Sequence, residues 1–64
     1  MMRMTVKALR VNKGLTQGEM AKMLGVSKKT VGAWENGKSM PNLDKVEAIC
    51  SILGVKYDDV RWNV

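Results

Sequence analysis

Residues 15–37 read LTQGEMAKMLGVSKKTVGAWENG, and this stretch decides the fold. It divides at Gly25 into two segments, and each segment begins with a hydroxyl residue that suits a helix N-cap. Thr16 stands three residues before Glu19, a spacing typical of a capping box. Ser27 precedes the second segment in the same way. We therefore predict two short helices joined by a tight turn at the glycine.

Apolar residues recur at helical spacing in both segments. The small Ala21 allows the second helix to cross closely over the first. Val31 and Trp34 anchor the second helix through its inner face. Two helices joined by a short turn that contains glycine form a helix-turn-helix. Its outer face, which is the face available to a DNA major groove, consists of Ser27, Lys28, Lys29, Gly32, Ala33 and Asn36.

Three further helices are predicted outside this pair. The first runs from Met4 or Thr5 to Asn12 and ends at Gly14. Another begins after Asn42 and carries an apolar stripe to Leu53, and a short last helix covers about 57–61. Because no stretch alternates with period 2, we predict an all-α fold of five helices in a single domain, residues 1–64. The predicted core is Val6, Leu9, Leu15, Met20, Ala21, Leu24, Val26, Val31, Trp34, Leu43, Val46, Ile49, Cys50, Leu53, Val55 and Val60.

The composition excludes several kinds of site. The chain has one cysteine, Cys50, and no histidine, which rules out an intramolecular disulfide, a Cys/His zinc site and a histidine-activated nucleophile. A chain of 64 residues also has little volume for an enclosed ligand pocket. We expect a protein that is not an enzyme and has no cofactor, metal or small-molecule ligand. The short apolar runs argue against a signal peptide or membrane span, and the single cysteine fits a cytoplasmic protein.

The charge is unevenly distributed along the chain. The formal net charge is +5, and it divides into +6 over residues 1–41 and −1 over residues 42–64. This asymmetry indicates a polyanionic partner for the first two thirds, with nucleic acid as the leading candidate. A solvated basic surface without a partner is the alternative interpretation.

Residues 15–41 also resemble the phage repressor/Cro-like helix-turn-helix family, called the Xre family. The resemblance is carried by LTQ, EMA, LGVS, TV, WENGK and Pro41 at their spacing in this sequence. Residues 6–10 and 43–55 are similar to the family's first and fourth helices, so about residues 5–60 are covered. The resemblance implies a compact repressor-like bundle with the helix-turn-helix in helices 2 and 3. It also implies a transcriptional regulator, with repressor of a phage or mobile element as the expected role, which binds a palindromic double-stranded operator as a homodimer.

Individual roles follow from the same resemblance. The positions that touch base edges correspond to Ser27, Lys28, Lys29 and Ala33. The positions that contact the DNA backbone correspond to Gln17, Thr30, Asn36 and Lys38. Arg10 and Glu35 match a partly buried salt bridge between helices 1 and 3. The family's subunit contacts near its fifth helix correspond to Tyr57, Val60 and Trp62.

Gly32 departs from the family pattern, which has a polar side chain there, so one contact is missing.

Two interpretations stay open at this point. Trp62 either covers this chain's own core or contacts a second subunit. A protein-interaction module with the same fold, antitoxin-like or co-activator-like, is the rival function. Such a module need not keep Gln17, Lys28 and Lys29, and their presence favours DNA.

Overall fold

The structure is a computed structural model that describes residues 3–62. Its elements in chain order are β1 (Met4–Thr5), α1 (Val6–Asn12), α2 (Gln17–Leu24), α3 (Lys28–Glu35), α4 (Leu43–Leu53), a 3₁₀ turn (Tyr57–Asp59) and β2 (Val60–Arg61). Residues 1, 2, 63 and 64, which belong to the predicted domain 1–64, lie outside the described residues.

Side chains cap the N-termini of all four α-helices. Thr16 and Glu19 form the predicted capping box: the Thr16 N–H donates to Glu19 Oε1 at 2.8 Å, and the Glu19 N–H donates to Thr16 Oγ1 at 3.0 Å. The backbone hydrogen bond from Thr16, with a smaller contribution from the Thr16 side chain, lowers the pKa of the Glu19 carboxyl. Ser27 and Asn42 cap α3 and α4 as predicted. Thr5 caps α1, where the N–H of Ala8 donates to Oγ1 at 3.1 Å.

The turn between α2 and α3 depends on Gly25. Its φ of 71° lies in the left-handed region, which a residue without Cβ enters at no steric cost. The reversal lets the Val26 N–H donate to the Ala21 carbonyl at 3.0 Å, which adds a hydrogen bond at the C-terminal end of α2. The predicted turn position is therefore confirmed.

The prediction of a fifth helix over 57–61 is wrong. The chain makes only the 3₁₀ turn and then becomes extended, so that Val60 and Arg61 pair in parallel with Met4 and Thr5. A helix of five residues forms too few hydrogen bonds to offset the free-energy cost of its nucleation. The extended conformation instead places the β-branched Val60 in the core, where it is 2% exposed. The described fold is thus mostly helical, with four α-helices and one small parallel sheet, rather than all-α.

The core lies where α1, α2, α4 and β2 meet. Leu43, predicted to be buried, is 69% exposed because it is the first residue of α4 and nothing covers that end of the stripe. Cys50 is half-buried, and burial, with a smaller contribution from the Asp59 carboxylate, raises the pKa of its thiol. Nine of the predicted core residues are buried: Val6, Met20, Ala21, Leu24, Val31, Val46, Ile49, Leu53 and Val60.

The helices among residues 3–62 are too short and too polar for any of them to cross a membrane.

Candidate nucleic-acid interface

The outer face of α3 lines an open depression of about 430 Å³. The first turn of the helix contributes two lysines, and its middle contributes two residues with little or no side chain. The start of α2 and the loop after α3 complete the rim. Six of the eight residues predicted to contact DNA meet here. The lining residues are Gln17, Lys28, Lys29, Gly32, Ala33, Asn36 and Lys38.

The charge of this depression has one sign. Three of its lining residues are lysines and none of them is acidic. Lys28, Lys29 and Lys38 are all exposed, so their ammonium groups are accessible to a partner. Such a concave basic surface attracts a polyanion rather than a neutral ligand. Among residues 3–62 no cluster of three Asp, Glu or Cys side chains could hold a metal ion.

Ser27 and Thr30, the other two predicted contact residues, do not line the depression. The Ser27 hydroxyl oxygen accepts the Thr30 N–H at 3.1 Å and lies 2.9 Å from Thr30 Oγ1. Both hydroxyl groups therefore take part in capping α3. Ser27 is exposed, whereas Thr30 is half-buried.

A second open depression, of about 650 Å³, lies at the N-terminus of α2. It shares Gln17 and Lys28 with the first depression, so the two form one continuous surface. The first backbone N–H groups of a helix have no partner inside the helix and, together with the helix dipole, favour an anion there. This surface can accept a phosphate group next to the face of α3.

A buried polar network supports the junction of the two depressions. The side chain of Glu35 is 1% exposed and accepts two hydrogen bonds from the Arg10 guanidinium. Nε of Arg10 donates to Oε2 at 2.7 Å, and Nη2 donates to Oε1 at 3.2 Å. Arg10 Nη1 also donates to the Leu15 carbonyl at 2.7 Å. The salt bridge thus ties α1 to the end of α3 and to the loop before α2.

Gln17 joins the same network, a contact that sequence reasoning missed. Its Nε2 donates to Glu35 Oε1 at 2.9 Å. Because a carboxylate only accepts hydrogen bonds, this contact fixes which end of the Gln17 amide faces inward. One N–H and the carbonyl oxygen of the amide are left for the surface. The two residues are 18 positions apart, and no local pattern in the sequence signals their contact.

The three predicted interface residues occupy different environments. Val60 is buried in this chain's own core, so the prediction that it contacts a second subunit is wrong. Trp62 is half-buried, packs against the core and donates from Nε1 to the Tyr57 carbonyl at 3.1 Å. The Tyr57 ring stacks on Trp62 with a centroid distance of 5.6 Å and is itself 55% exposed. Of the three, Tyr57 offers the most surface to a partner.

Two capped helices, a left-handed glycine between them and a basic outer face on the second helix define a helix-turn-helix protein. The family described as "Helix-turn-helix" matches residues 6–60, and the chain belongs to this family as a Cro/Xre-like member.

Known proteins show the same similarity. The chain is 36% identical over 61 residues to an uncharacterized HTH-type transcriptional regulator, YgzD, of Bacillus subtilis, and the match covers 95% of this chain and 92% of the relative. It is 40% identical over 50 residues to the cryptic phage CTXphi transcriptional repressor RstR of Vibrio cholerae. This match covers 78% of this chain and 45% of the repressor. The crystal structure of the hypothetical transcription factor NHTF from Neisseria superposes on this chain with a TM-score of 0.76 at 31% identity. The superposition covers 84% of this chain and 61% of NHTF.

Other relatives are much longer than this chain. It is 34% identical over 55 residues, 86% of its length, to both the transcriptional activator BcrR of Enterococcus faecalis and the antitoxin PezA of Streptococcus pneumoniae. It spans only 27% of the activator and 35% of the antitoxin.

Proposed function

We propose that the protein is a sequence-specific regulator of transcription that inserts α3 into the major groove of double-stranded DNA. The observation that carries the proposal is the open depression on α3, in which Lys28, Lys29 and Lys38 meet without an acidic neighbour. The names of the relatives, which include transcriptional regulators, a phage repressor and an activator, support the same function.

The residues of this surface divide into two groups by position. Lys28, Lys29 and Ala33 lie on the outer face of α3, with Ser27 at its start, and in this proposal they contact base edges. A lysine donates to guanine O6 and N7, the commonest specific contact in the major groove. In this proposal the phosphates of the DNA backbone are contacted by Gln17, Thr30, Asn36 and Lys38, and such contacts position the protein without reading the base sequence.

The mode of action that we propose is occupancy of an operator by a homodimer. One recognition helix covers only a few base pairs, too few for useful selectivity in a genome, whereas two copies on a palindrome double the site. Exposed Tyr57 is the proposed centre of the subunit contact. The phage repressor among the relatives supports repression by a protein of phage or mobile-element origin.

The test is to select bound duplexes from a random DNA pool and to compare variants on the selected site. Lys28→Ala and Lys29→Ala should lose about 1–3 kcal/mol on that site and change the preferred bases. Gln17→Ala and Lys38→Ala should weaken binding to all sequences alike. Lys22→Ala is the matched control, because Lys22 is exposed on α2 but lines neither depression.

Two results would contradict this assignment. If no sequence is enriched from the pool, the protein is not a sequence-specific regulator. If the Lys28 and Lys29 variants lose affinity uniformly, as the Lys38 variant should, these lysines do not read bases.

The antitoxin among the relatives favours a second candidate, a module that uses this fold mainly to hold another protein. In that case the alanine variants of Lys28, Lys29 and Gln17 would leave the biological activity of the protein unchanged. Loss of activity in these variants, with Lys22→Ala unaffected, assigns the activity to DNA.

A further inference from the structure

We infer that Lys45 of α4 is a positioning residue for DNA recognition. It binds the last carbonyl group of α2 and thereby fixes the turn that leads into α3. Nζ of Lys45 donates to the Leu24 carbonyl oxygen at 2.9 Å, although the two residues are 21 positions apart. The inference rests on the proposed function, because it concerns how α2 and α3 contact one duplex together.

Lys45 stands at a position that local helix chemistry disfavours for a lysine. Asn42 caps α4, and its Oδ1 accepts the Lys45 N–H at 3.0 Å, so Lys45 is the third residue of the helix. The N-terminal end of a helix carries partial positive charge and favours acidic side chains. Asp44 follows this rule, whereas Lys45 breaks it. A residue that breaks a local rule is expected to serve a purpose beyond its own helix.

The C-terminal end of α2 supplies this purpose. The last carbonyl groups of a helix have no partner inside the helix and form the negative end of its dipole. The Ala21 carbonyl accepts the Val26 N–H, and the Leu24 carbonyl accepts the Lys45 ammonium group. Lys45 is half-buried, so its charge lies partly shielded from water at the helix end that attracts a cation.

This hydrogen bond gives the contact between α4 and α2 a direction. Met20 and Leu24 of α2 also share the core with Ile49 and Leu53 of α4, but apolar burial is non-directional. Among residues 3–62, the bond from Lys45 is the one hydrogen bond between α4 and the helix-turn-helix. It therefore determines where the end of α2 lies relative to the rest of the fold.

The position of that end affects the proposed DNA-binding surface because the turn begins there. Gly25 follows Leu24 with a φ of 71°, and α3 begins three residues later at Lys28. Gln17, at the other end of α2, and Lys28 line both open depressions. A shift at the turn would change how these two residues lie relative to each other. Lys45 lines neither depression, so it acts through the turn and not through its own contact with DNA.

The experiment compares Lys45→Met with the matched control Lys22→Met. Both variants remove one ammonium group and keep an unbranched side chain, and Lys22 is exposed on α2 outside both depressions. Dissociation constants for the selected duplex and a scrambled version of it are measured over a series of salt concentrations. The temperature is one at which urea unfolding shows every variant to be folded.

We expect Lys45→Met to bind the selected duplex about fivefold more weakly than the wild type, the size of effect typical for a residue that acts on a site from a distance. The scrambled duplex should bind almost as it does to the wild type, because non-specific binding depends on charge and tolerates a displaced helix. Lys22→Met should match the wild type in its preference for the selected duplex.

Two further readouts separate positioning from other roles. The slope of log K against log salt should stay unchanged in Lys45→Met, whereas removal of a phosphate-binding lysine reduces its magnitude by about 1. Lys45→Arg keeps a charged donor for the Leu24 carbonyl and should restore most of the affinity for the selected duplex.

Each outcome decides the inference. If folded Lys45→Met binds the selected duplex as tightly as the wild type, Lys45 serves stability alone and the inference is wrong, while the proposed function stands. A reduced salt slope, an equal loss on both duplexes, or an arginine variant as weak as the methionine variant also overturns it. If the wild type does not distinguish the two duplexes, the proposed function and this inference fail together.

Discussion

The buried carboxylate of Glu35 joins two other segments of the chain to α3 through its two oxygen atoms. Arg10 from α1 binds both oxygens, and Gln17 from the start of α2 binds Oε1. A buried ion pair is costly to break, because removing one partner leaves the other charge in a poorly solvated place. This network therefore serves the fold and the proposed DNA-binding face at the same time.

We predict that Arg10→Met and Glu35→Gln each lower the free energy of unfolding by about 3 kcal/mol, since each leaves an uncompensated buried group. The double variant should cost clearly less than the sum of the two. Urea unfolding of the four proteins in a double-mutant cycle measures the coupling. Additive losses would show that the two side chains do not stabilise each other.

The contacts of single residues were predictable to different degrees. The capping box of Thr16 and Glu19 was readable because its partners are three residues apart and their chemistry is local. The Arg10–Glu35 pair spans 25 positions and was expected only from family resemblance. The Gln17–Glu35 bond was missed, because it depends on how α2 packs on α3 and not on any spacing in the sequence.

At the scale of elements, the sequence predicts the helices better than the strands. The bounds of α2, α3 and α4 follow from cap residues and glycines next to each helix, all of which are local signals. Each strand has only two residues, so no period-2 alternation could show, and the partner of Val60 is Met4 at the other end of the chain. Local signals therefore cannot reveal this strand, and the helix predicted over 57–61 is wrong.

Gly32 provides a prediction for α3. Gly32→Ala should raise the free energy of unfolding by about 1 kcal/mol, because alanine is the better helix former. The new Cβ would meet only the Gln17 amide at 3.9 Å, an ordinary contact distance. Gly25→Ala is the comparison, and it should lower stability by about 1–2 kcal/mol because Gly25 has a φ of +71°. Thermal or urea unfolding measures both. Destabilisation by Gly32→Ala would mean that α3 approaches its neighbours more closely than this geometry shows.

At the scale of the whole molecule, the first and last described elements, β1 and β2, pair with each other, and the Tyr57–Trp62 stack lies next to that sheet. Trp62 packs against the core, whereas Tyr57 leaves more than half of its surface exposed. The proposed subunit contact therefore centres on Tyr57.

We predict that Tyr57→Ala lowers the dimer fraction in analytical ultracentrifugation and weakens binding to a palindrome more than to an isolated half-site. The hydrogen bond from Trp62 survives in this variant, because its acceptor is the Tyr57 backbone carbonyl. Trp62→Ala is the contrasting variant and should lower the free energy of unfolding. If Tyr57→Ala stays dimeric and binds the palindrome normally, the contact lies elsewhere, and exposed Met40 and Leu43 are the next surface to test.

The central claim is that the basic face of α3 binds duplex DNA by sequence. Equilibrium titration of one selected duplex and one scrambled duplex over a series of salt concentrations tests it most directly. If each subunit of a dimer neutralises about three or four phosphates, log K should fall with log salt at a slope of roughly −5 to −7. The selected duplex should bind about a thousandfold or more tightly than the scrambled one at physiological salt. A flat salt dependence, or equal affinity for the two duplexes, would contradict the account.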